Sequence, residues 1–269
     1  GIVFSLTMAF TDWNLIRGYE NAKFVGLNNF TTMFKDIYLK ACIVNNAKLL
    51  IVVPITLFLA AVLATLMNRA IYGKGGARAL YFMPYVTNIV AIATVWQALF
   101  HKTKGPINVL LMVLGITEEA LPGWLSSSDW ALLAVAIVLV WKDIGYDILM
   151  YSGALQSIPK ELYEAADMDG AGPITKFFKI TLPLLRPILV YVMITSLVGG
   201  LQMFDVPQIL TNGSGDPMRS SMTLIMYLNK HLYSKNYGLA GALSVVLFVI
   251  TGALSLLVYR ISNRKESRG

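Results

Sequence analysis

The sequence has few of the residues on which metal and redox chemistry depend. It contains one cysteine, Cys42, and two histidines, His101 and His231, among 269 residues. A single cysteine excludes an internal disulfide and a cysteine-rich metal site. The histidines lie in separate segments, without further ligands at metal-binding spacing. We therefore expect no metal site in this chain.

Catalytic and nucleotide-binding motifs are also missing. The chain has no Ser-His-Asp order and no G-x-S-x-G elbow, so we predict no catalytic residues. The stretch YGKGGAR at 72–78 is rich in glycine, but it lacks the GK[ST] that holds phosphates and Mg²⁺. We interpret this stretch as a tight basic turn. If the protein performs energised work, another protein hydrolyses the nucleotide.

Charged residues are scarce, and the apolar residues are clustered. Only 14% of the residues are charged and 56% are hydrophobic, whereas about a quarter of a soluble domain is charged. Four runs of 18 to 23 residues carry no charge, namely 49–67, 79–100, 187–204 and 237–259. A helix needs roughly 20 apolar residues to cross a bilayer, whose interior offers the backbone no water. We predict that each run is a transmembrane helix.

Two further spans complete the predicted set. The run 130–157 is long enough to cross, although Lys142, Asp143 and Asp147 interrupt it. The first ten residues, GIVFSLTMAF, are too short, and we interpret them as the outer half of a span that begins before Gly1. A cleaved signal peptide is the rival interpretation, but a basic leader and a small-residue cleavage site are missing. The prediction is an all-α, polytopic membrane protein with six transmembrane helices, the first one truncated at the start.

Polar and aromatic residues near the ends of the spans have ordinary explanations. Asn45, Asn46 and Lys48 lie at the outer edge of the second span, where we interpret them as residues that reach toward the interface. Trp96, Trp130 and Trp141 are interpreted as interface or packing residues.

The distribution of lysine and arginine predicts the orientation. Segments 69–78, 158–186 and 260–269 hold 11 of these residues in 49 positions, while segments 11–40, 101–129 and 205–236 hold 9 in 91. The positive-inside rule therefore places 158–186 and the C-terminus in the cytoplasm. The net charge of +7 is mostly this topology signal. Nucleic acid is not expected as a partner, because the bases do not form one patch.

The connector between the fourth and fifth spans carries a short amphipathic helix. From Pro159 to Asp169, three apolar residues share one face: Leu162, Ala165 and Ala166. Charged residues occupy another face: Lys160, Glu164 and Asp167. Pro159 suits the first turn, and Gly170 suits a left-handed stop. A helix lying on lipid headgroups favours Lys and Arg on its polar face, so this mainly acidic face favours a protein partner.

The connector also contains a motif with fixed spacing. Glu164-Ala165-Ala166 is followed after three residues by Gly170, and after nine more by Ile180-x-Leu182-Pro183. This pattern resembles the EAA loop of the permeases of bacterial ATP-binding-cassette (ABC) importers. The likeness continues in SLTMAFTDWN, FVGLNNF, GPINVLL, ILTNGSGDP and YGLAGALSVVLF, which are similar to carbohydrate-importer permeases. The sequence is most similar to the maltose-type permease with the larger outer region, in the compact six-span version of oligosaccharide and glycerol-phosphate importers.

The resemblance implies a fold, a division of the chain and a set of partners. The fold would be that of a type I ABC importer permease in the bacterial cytoplasmic membrane. Residues 1–40 would hold the end of the first helix and an outer segment, 41–263 the permease domain with its EAA loop at 158–186, and 264–269 a cytoplasmic tail. Its partners would be a second homologous permease, an ABC ATPase dimer, an extracytoplasmic sugar-binding protein, membrane lipid, and a sugar or oligosaccharide substrate. The chain itself would be no enzyme and would bind no cofactor, since ATP and Mg²⁺ belong to the ATPase.

Two groups of residues are candidates for sites. The resemblance assigns contact with the ATPase to Glu161, Glu164, Ala165, Ala166, Asp169, Gly170 and Ala171. Charges inside the membrane are costly and mark functional sites, so the predicted substrate path contains Asp143, Tyr146, Asp147, Ser196 and Gln202. A structural ion pair between Lys142 and one aspartate remains the alternative.

Two other functions remain open. A secondary transporter would use the charges of the fourth span for ion coupling, although such proteins normally show internal repeats. A membrane-embedded enzyme would have to use Asp143 and Asp147 as its catalytic pair.

Overall fold

The computed structural model describes residues 2–16, 18, 20–69 and 74–263, and its regular structure there is helical. The first helices are α1 (Ile2–Ala9), α2 (Asn28–Lys35), α3 (Ile37–Arg69), α4 (Lys74–Val86), α5 (Ile89–Leu99), α6 (Pro106–Val113) and α7 (Ser128–Leu155). They are followed by α8 (Lys160–Met168), α9 (Pro173–Lys176), α10 (Leu182–Leu184), α11 (Arg186–Leu201), α12 (Asp205–Leu210), α13 (Leu224–Tyr233) and α14 (Tyr237–Asn263). A 3₁₀ turn covers Glu118–Ala120 and a π-helical turn covers Phe177–Thr181. The predicted all-α class is confirmed.

Several helices are long and apolar enough to cross a membrane. By length and composition these are Ile37–Asn68, Arg186–Leu210 and Tyr237–Ser262, and the pair Gly75–Val86 and Ile89–Leu99 is a fourth if it counts as one span. Helix α7 has 28 residues, but Lys142, Asp143 and Asp147 lie within it. Helix α1 covers 8 residues. The structure is consistent with six spans, and the count itself stays a prediction.

The charge-free run at 79–100 is not one straight helix, contrary to the sequence prediction. Its two helices are bent by 95° at the break between Val86 and Ile89. Pro84 lies inside α4 and cannot donate a backbone hydrogen bond. At the break, the Thr87 backbone N–H donates to the Met83 carbonyl at 3.1 Å and the Thr87 hydroxyl donates to the same carbonyl at 2.7 Å. Hydrophobicity predicted the helices, but proline and local hydrogen bonding determine the path.

The chain divides into two compact units, and four of the five boundaries along the chain fall inside helices, while the fifth falls at the break between α4 and α5. Unit 1 comprises Gly1–Leu50, Ile89–Val138 and Leu197–Leu257, and unit 2 comprises Ile51–Asn88, Leu139–Ser196 and Val258–Gly269. The predicted domain boundaries at 40 and 263 stay predictions, and the predicted tail 264–269 lies outside the described residues.

Unit 1 depends on a close approach between α14 and the segment that ends α1. A Cβ atom added at Gly238 would lie 2.5 Å from the Thr11 carbonyl oxygen, and one added at Gly241 would lie 2.8 Å from the Ala9 backbone nitrogen. Only glycine permits such distances. The adjoining core contains Met33, Leu39, Tyr227 and Leu243, among other buried residues.

Two asparagines in α3 stabilise the polar ends of neighbouring segments in unit 1. The Asn46 side chain is 1% exposed, donates to the carbonyls of Gly200 and Leu201 at 3.2 and 3.4 Å, and accepts from the Leu224 N–H at 2.8 Å. Asn45 donates to the carbonyls of Arg219 and Met222, both at 3.0 Å. Helix ends leave backbone groups without internal partners, and an amide can both donate and accept. The interpretation of these asparagines as residues reaching toward the interface is therefore wrong.

Unit 2 packs around small residues. Its core joins α3, α7 and α11 through Leu57, Ala60, Ala61, Ala64, Ile148, Tyr151, Leu155, Ile158, Leu185 and Val192. At Gly145 an added Cβ would lie 1.9 Å from the Tyr81 carbonyl oxygen, so α7 and α4 approach each other as closely as backbones allow. Ile158 and Leu185, at the two ends of the EAA loop, are part of this core. The core therefore supports the loop.

Candidate functional site

The amphipathic helix of the EAA loop is α8, and its predicted bounds are confirmed to within one residue. Pro159 precedes the helix with ψ 132°, and Asp169 follows it. Gly170 has φ +72°, in the left-handed region where a side chain is strained. The Gly170 N–H donates to the Asp167 carbonyl at 3.0 Å, and the Ala171 N–H donates to the Ala166 carbonyl at 2.8 Å. These two bonds are the Schellman pattern, and the predicted left-handed stop is confirmed.

The exposed surface of α8 contains most of the residues that were predicted to contact the ATPase. Glu161, Glu164, Ala165, Asp169 and Gly170 are exposed, while Ala166 and Ala171 are half-buried. Leu162 is 43% exposed and Met168 is 90% exposed. The predicted apolar face is therefore largely uncovered in this chain, next to a row of acids. Such a surface can receive a protein partner through small apolar residues and carboxylates together.

Tyr163 anchors the face of α8 that is turned toward the core of unit 2, and the sequence analysis missed this residue. It packs against the core of unit 2 together with Phe177 and Ile188. Its hydroxyl lies 2.9 Å from the Thr181 Oγ1 atom, within hydrogen-bonding distance. Asp167, one turn further along, forms an ion pair with Lys176. The signal in the sequence was the four-residue spacing of Tyr163 and Asp167, which places both on one side of α8.

Past Gly170 the loop is helical but irregular. Helix α9 leads into the π-helical turn, in which the Leu182 N–H donates to the Phe177 carbonyl five residues back. The Phe177 ring meets the Phe58 ring edge to face, with centroids 6.3 Å apart. Helix α10 then leads into α11. The segment therefore connects α8 to the candidate membrane span Arg186–Leu210, which begins with α11.

A second candidate site lies on α7 in unit 2. Lys142 Nζ lies 2.7 Å from Asp143 Oδ1, and the same ammonium lies 5.4 Å from the centre of the Tyr85 ring. Tyr85 stacks on Tyr146 with centroids 4.9 Å apart. Tyr191, which is 50% exposed, lies near Tyr146. The arrangement combines aromatic faces, hydroxyls and a charged pair, and the Asp143 side chain is 44% exposed.

The predicted substrate-path residues are only partly brought together. Asp143 and Tyr146 belong to the aromatic cluster, whereas Asp147 is 3% exposed in the interior of unit 2. Ser196 is half-buried at the edge of unit 2, and Gln202 is exposed in unit 1. The ion pair considered as an alternative is present between Lys142 and Asp143. Sequence reasoning missed Tyr85 and Tyr191, because they lie on other helices at no characteristic spacing.

The described residues contain no group of three or more His, Cys, Asp and Glu side chains that could hold a metal ion. The polar clusters of these parts of the chain instead consist of carboxylates, amines, amides and hydroxyls.

Comparison with known proteins establishes the family. Residues 57–268 match the family model described as "binding-protein-dependent transport system inner membrane component". The chain belongs to this family. The permease is 35% identical to the sulfoquinovosyl glycerol transport system permease protein SmoG of Agrobacterium fabrum, across 91% of this chain and 79% of the relative. It is 30% identical to the lactose transport system permease protein LacF of Rhizobium radiobacter, across 91% of this chain and 83% of the relative.

A solved structure confirms the permease fold. A bacterial ABC transporter involved in the import of the acidic polysaccharide alginate superimposes with a TM-score of 0.81, covering 97% of this chain and 88% of that chain. Because the identity is 22%, this likeness concerns the fold alone. The protein is a multi-pass membrane permease of a binding-protein-dependent transport system, as the EAA motif predicted.

Proposed function

We propose that this permease pairs with a second homologous permease to form the path of an ABC importer for a sugar or oligosaccharide. An ABC ATPase dimer binds ATP and Mg²⁺ and hydrolyses the ATP, and an extracytoplasmic binding protein delivers the substrate. The observation that carries the proposal is the geometry of α8, which is closed by Gly170 and exposes Glu161, Glu164 and Ala165.

The contact with the ATPase is assigned to the exposed face of α8. Glu161, Glu164 and Asp169 offer carboxylates to basic groups, and Ala165, Ala166, Gly170 and Ala171 let the partner approach closely. ATP closes the ATPase dimer and favours one state of the permease pair, and hydrolysis restores the other. Transport is then a population shift that requires ATP-dependent contacts with α8.

The sugar assignment rests on two kinds of support. The relatives named above are permeases for sulfoquinovosyl glycerol and for lactose. In addition, Tyr85, Tyr146 and the Lys142–Asp143 pair supply aromatic faces and hydrogen-bonding groups in one place. A sugar needs both, because each hydroxyl that leaves water requires a new partner. We assign the substrate path to Asp143 and Tyr146, with Asp147, Ser196 and Gln202 as further members.

The orientation is part of the proposal. The excess of lysine and arginine in 69–78, 158–186 and 260–269 favours a cytoplasmic EAA loop and a cytoplasmic C-terminus. In a variant whose only native cysteine, Cys42, is replaced by alanine, Met168→Cys and Met218→Cys provide a matched pair. These positions are 90% and 87% exposed and lie in α8 and in the segment between α12 and α13. A membrane-impermeant thiol reagent added to whole cells should label position 218 and leave position 168 unlabelled.

Reconstitution tests the function directly. The permease, its sister permease, the ATPase and the binding protein are placed in liposomes, and ATP hydrolysis is measured with a panel of sugars. Hydrolysis and uptake should rise together with the cognate sugar and should require the binding protein. A purified lone chain that transports in response to an ion gradient would instead identify a secondary transporter.

A further inference from the structure

The EAA motif ends in Ile180-x-Leu182-Pro183, and the x position is Thr181. This side chain is 1% exposed, although threonine is polar and Lys179, two residues earlier, is exposed. A buried hydroxyl requires hydrogen-bonding partners. The contacts of Thr181 explain why a polar residue is buried here.

Thr181 has two oxygen neighbours. Its Oγ1 atom lies 2.9 Å from the Tyr163 hydroxyl of α8 and 3.4 Å from the Lys176 carbonyl oxygen. Both contacts are satisfied when Tyr163 donates to Thr181 and Thr181 donates to the carbonyl. Thr181 is the last residue of the π-helical turn, so the hydroxyl that contacts Tyr163 lies where this turn ends. The result is a chain of hydrogen bonds from α8 into the segment before α11.

The remaining contacts of α8 do not fix its orientation as well. The helix has 9 residues and no side-chain hydrogen bond at its N-terminal cap. The packing of Tyr163 against Phe177 is apolar, and apolar contact is non-directional. The Asp167–Lys176 pair involves a carboxylate side chain that is 62% exposed, so water screens it. The Tyr163–Thr181 bond is directional and partly buried, and it therefore limits rotation of α8 about its own axis.

We propose that the Tyr163–Thr181 hydrogen bond is the joint through which movement of α8 reaches α11. Both are positioning residues, because neither belongs to the exposed face assigned to the ATPase. The inference rests on the proposed function, in which α8 receives the movement of the ATPase. Without the bond, α8 still contacts the ATPase but turns without moving α11, so that ATP hydrolysis continues while substrate uptake falls.

The experiment measures substrate molecules taken up per ATP hydrolysed in the reconstituted four-component importer. Tyr163→Phe and Thr181→Val each remove one hydroxyl and keep the size of the side chain. Each should lower this ratio about 2- to 10-fold, the range expected from one net hydrogen bond. The double variant should fall no further than the worse single variant, because both remove the same bond. Thr181→Ser keeps the hydroxyl and should retain most of the ratio.

Thr175→Val is the matched control, since Thr175 is exposed in the same loop, and it should behave as the wild type. The proposal would be overturned if both single variants kept the wild-type ratio of uptake to ATP hydrolysis. It would also be overturned if the losses of the two single variants multiplied in the double variant. Loss of the ATPase on copurification of Tyr163→Phe would also overturn it, because the bond would then hold the fold instead of transmitting movement. If the wild-type assembly shows no sugar-dependent uptake at all, the proposed function fails and the joint falls with it.

Discussion

The Ala171 backbone N–H donates a hydrogen bond of 2.8 Å to the Ala166 carbonyl oxygen, and this bond closes α8. It forms only because Gly170, between them, adopts φ +72°. The bond also sets the direction in which the chain leaves the helix toward Pro173. α8 and the segment that follows it in the EAA loop are therefore joined through one left-handed residue.

Gly170→Val should disrupt this turn. A β-branched residue in the left-handed region costs roughly 1–2 kcal/mol, although nothing lies within 4 Å of the added Cβ. The variant should insert in the membrane and lose most of its transport, which uptake into proteoliposomes measures. Gly172→Val is the matched control, because Gly172 has φ −67° and ψ 168° and open space around it. Equal uptake by the two variants would contradict the role given to the left-handed turn.

Asn46→Ala should destabilise unit 1. It leaves the buried Leu224 N–H and the carbonyls of Gly200 and Leu201 without the amide. Each unsatisfied group costs about 1–3 kcal/mol, so the unfolding temperature in detergent should fall clearly. Lys48→Ala, an exposed position on the same helix, should leave it nearly unchanged. A stable Asn46→Ala variant would show that water can replace these bonds.

Two glycines of α14 should respond to alanine with opposite signs. At Gly238 the new Cβ would lie 2.5 Å from the Thr11 carbonyl oxygen, so Gly238→Ala should destabilise the protein. At Gly252 nothing lies within 4 Å, so Gly252→Ala should stabilise the helix by about 0.5–1 kcal/mol. Thermal unfolding of the two variants side by side provides the measurement. Stabilisation by both substitutions would mean that the close approach at Gly238 relaxes, and destabilisation by both would contradict the open space at Gly252.

Some features of the structure were predicted from the sequence, and others were not. Charge-free runs predicted helices, and the amphipathic pattern from Pro159 to Asp169 with Gly170 after it predicted α8 and its left-handed stop, because both patterns are local. The bend between Val86 and Ile89, the burial of Asn46 and the contact of Tyr163 with Thr181 were missed. The bend follows Pro84, a local signal that the uniform hydrophobicity of the run obscured. The burial of Asn46 and the contact of Tyr163 with Thr181 depend on which segments meet in space, and a single sequence contains no direct signal for that. The cluster of Tyr85, Tyr146 and Tyr191 was missed for the same reason.

Asp143→Asn and Asp147→Asn separate a substrate path from a structural ion pair. Asp143→Asn removes the charged partner that lies 2.7 Å from Lys142, while Asp147→Asn changes a residue that is 3% exposed. If these acids serve the path, both variants should copurify with the ATPase and show altered uptake or sugar preference. Failure of Asp143→Asn to assemble would favour the structural alternative, because that substitution leaves Lys142 without the carboxylate 2.7 Å away.

Glu164→Lys tests the partner assigned to α8. Glu164 is exposed, in a row of acids, with Ala165 beside it. If a basic group of the ATPase meets this carboxylate, the substitution places like charges together and leaves a partly buried base unpaired, which costs about 2–5 kcal/mol. The ATPase should then be lost from pull-downs of detergent extracts, and uptake should fall, while membrane insertion is unaffected. Glu119→Lys is the matched control, because Glu119 is exposed in a 3₁₀ turn that is not part of the EAA loop sequence, and it should retain the ATPase. Normal uptake and normal ATPase recovery with Glu164→Lys would mean that α8 is only a connector.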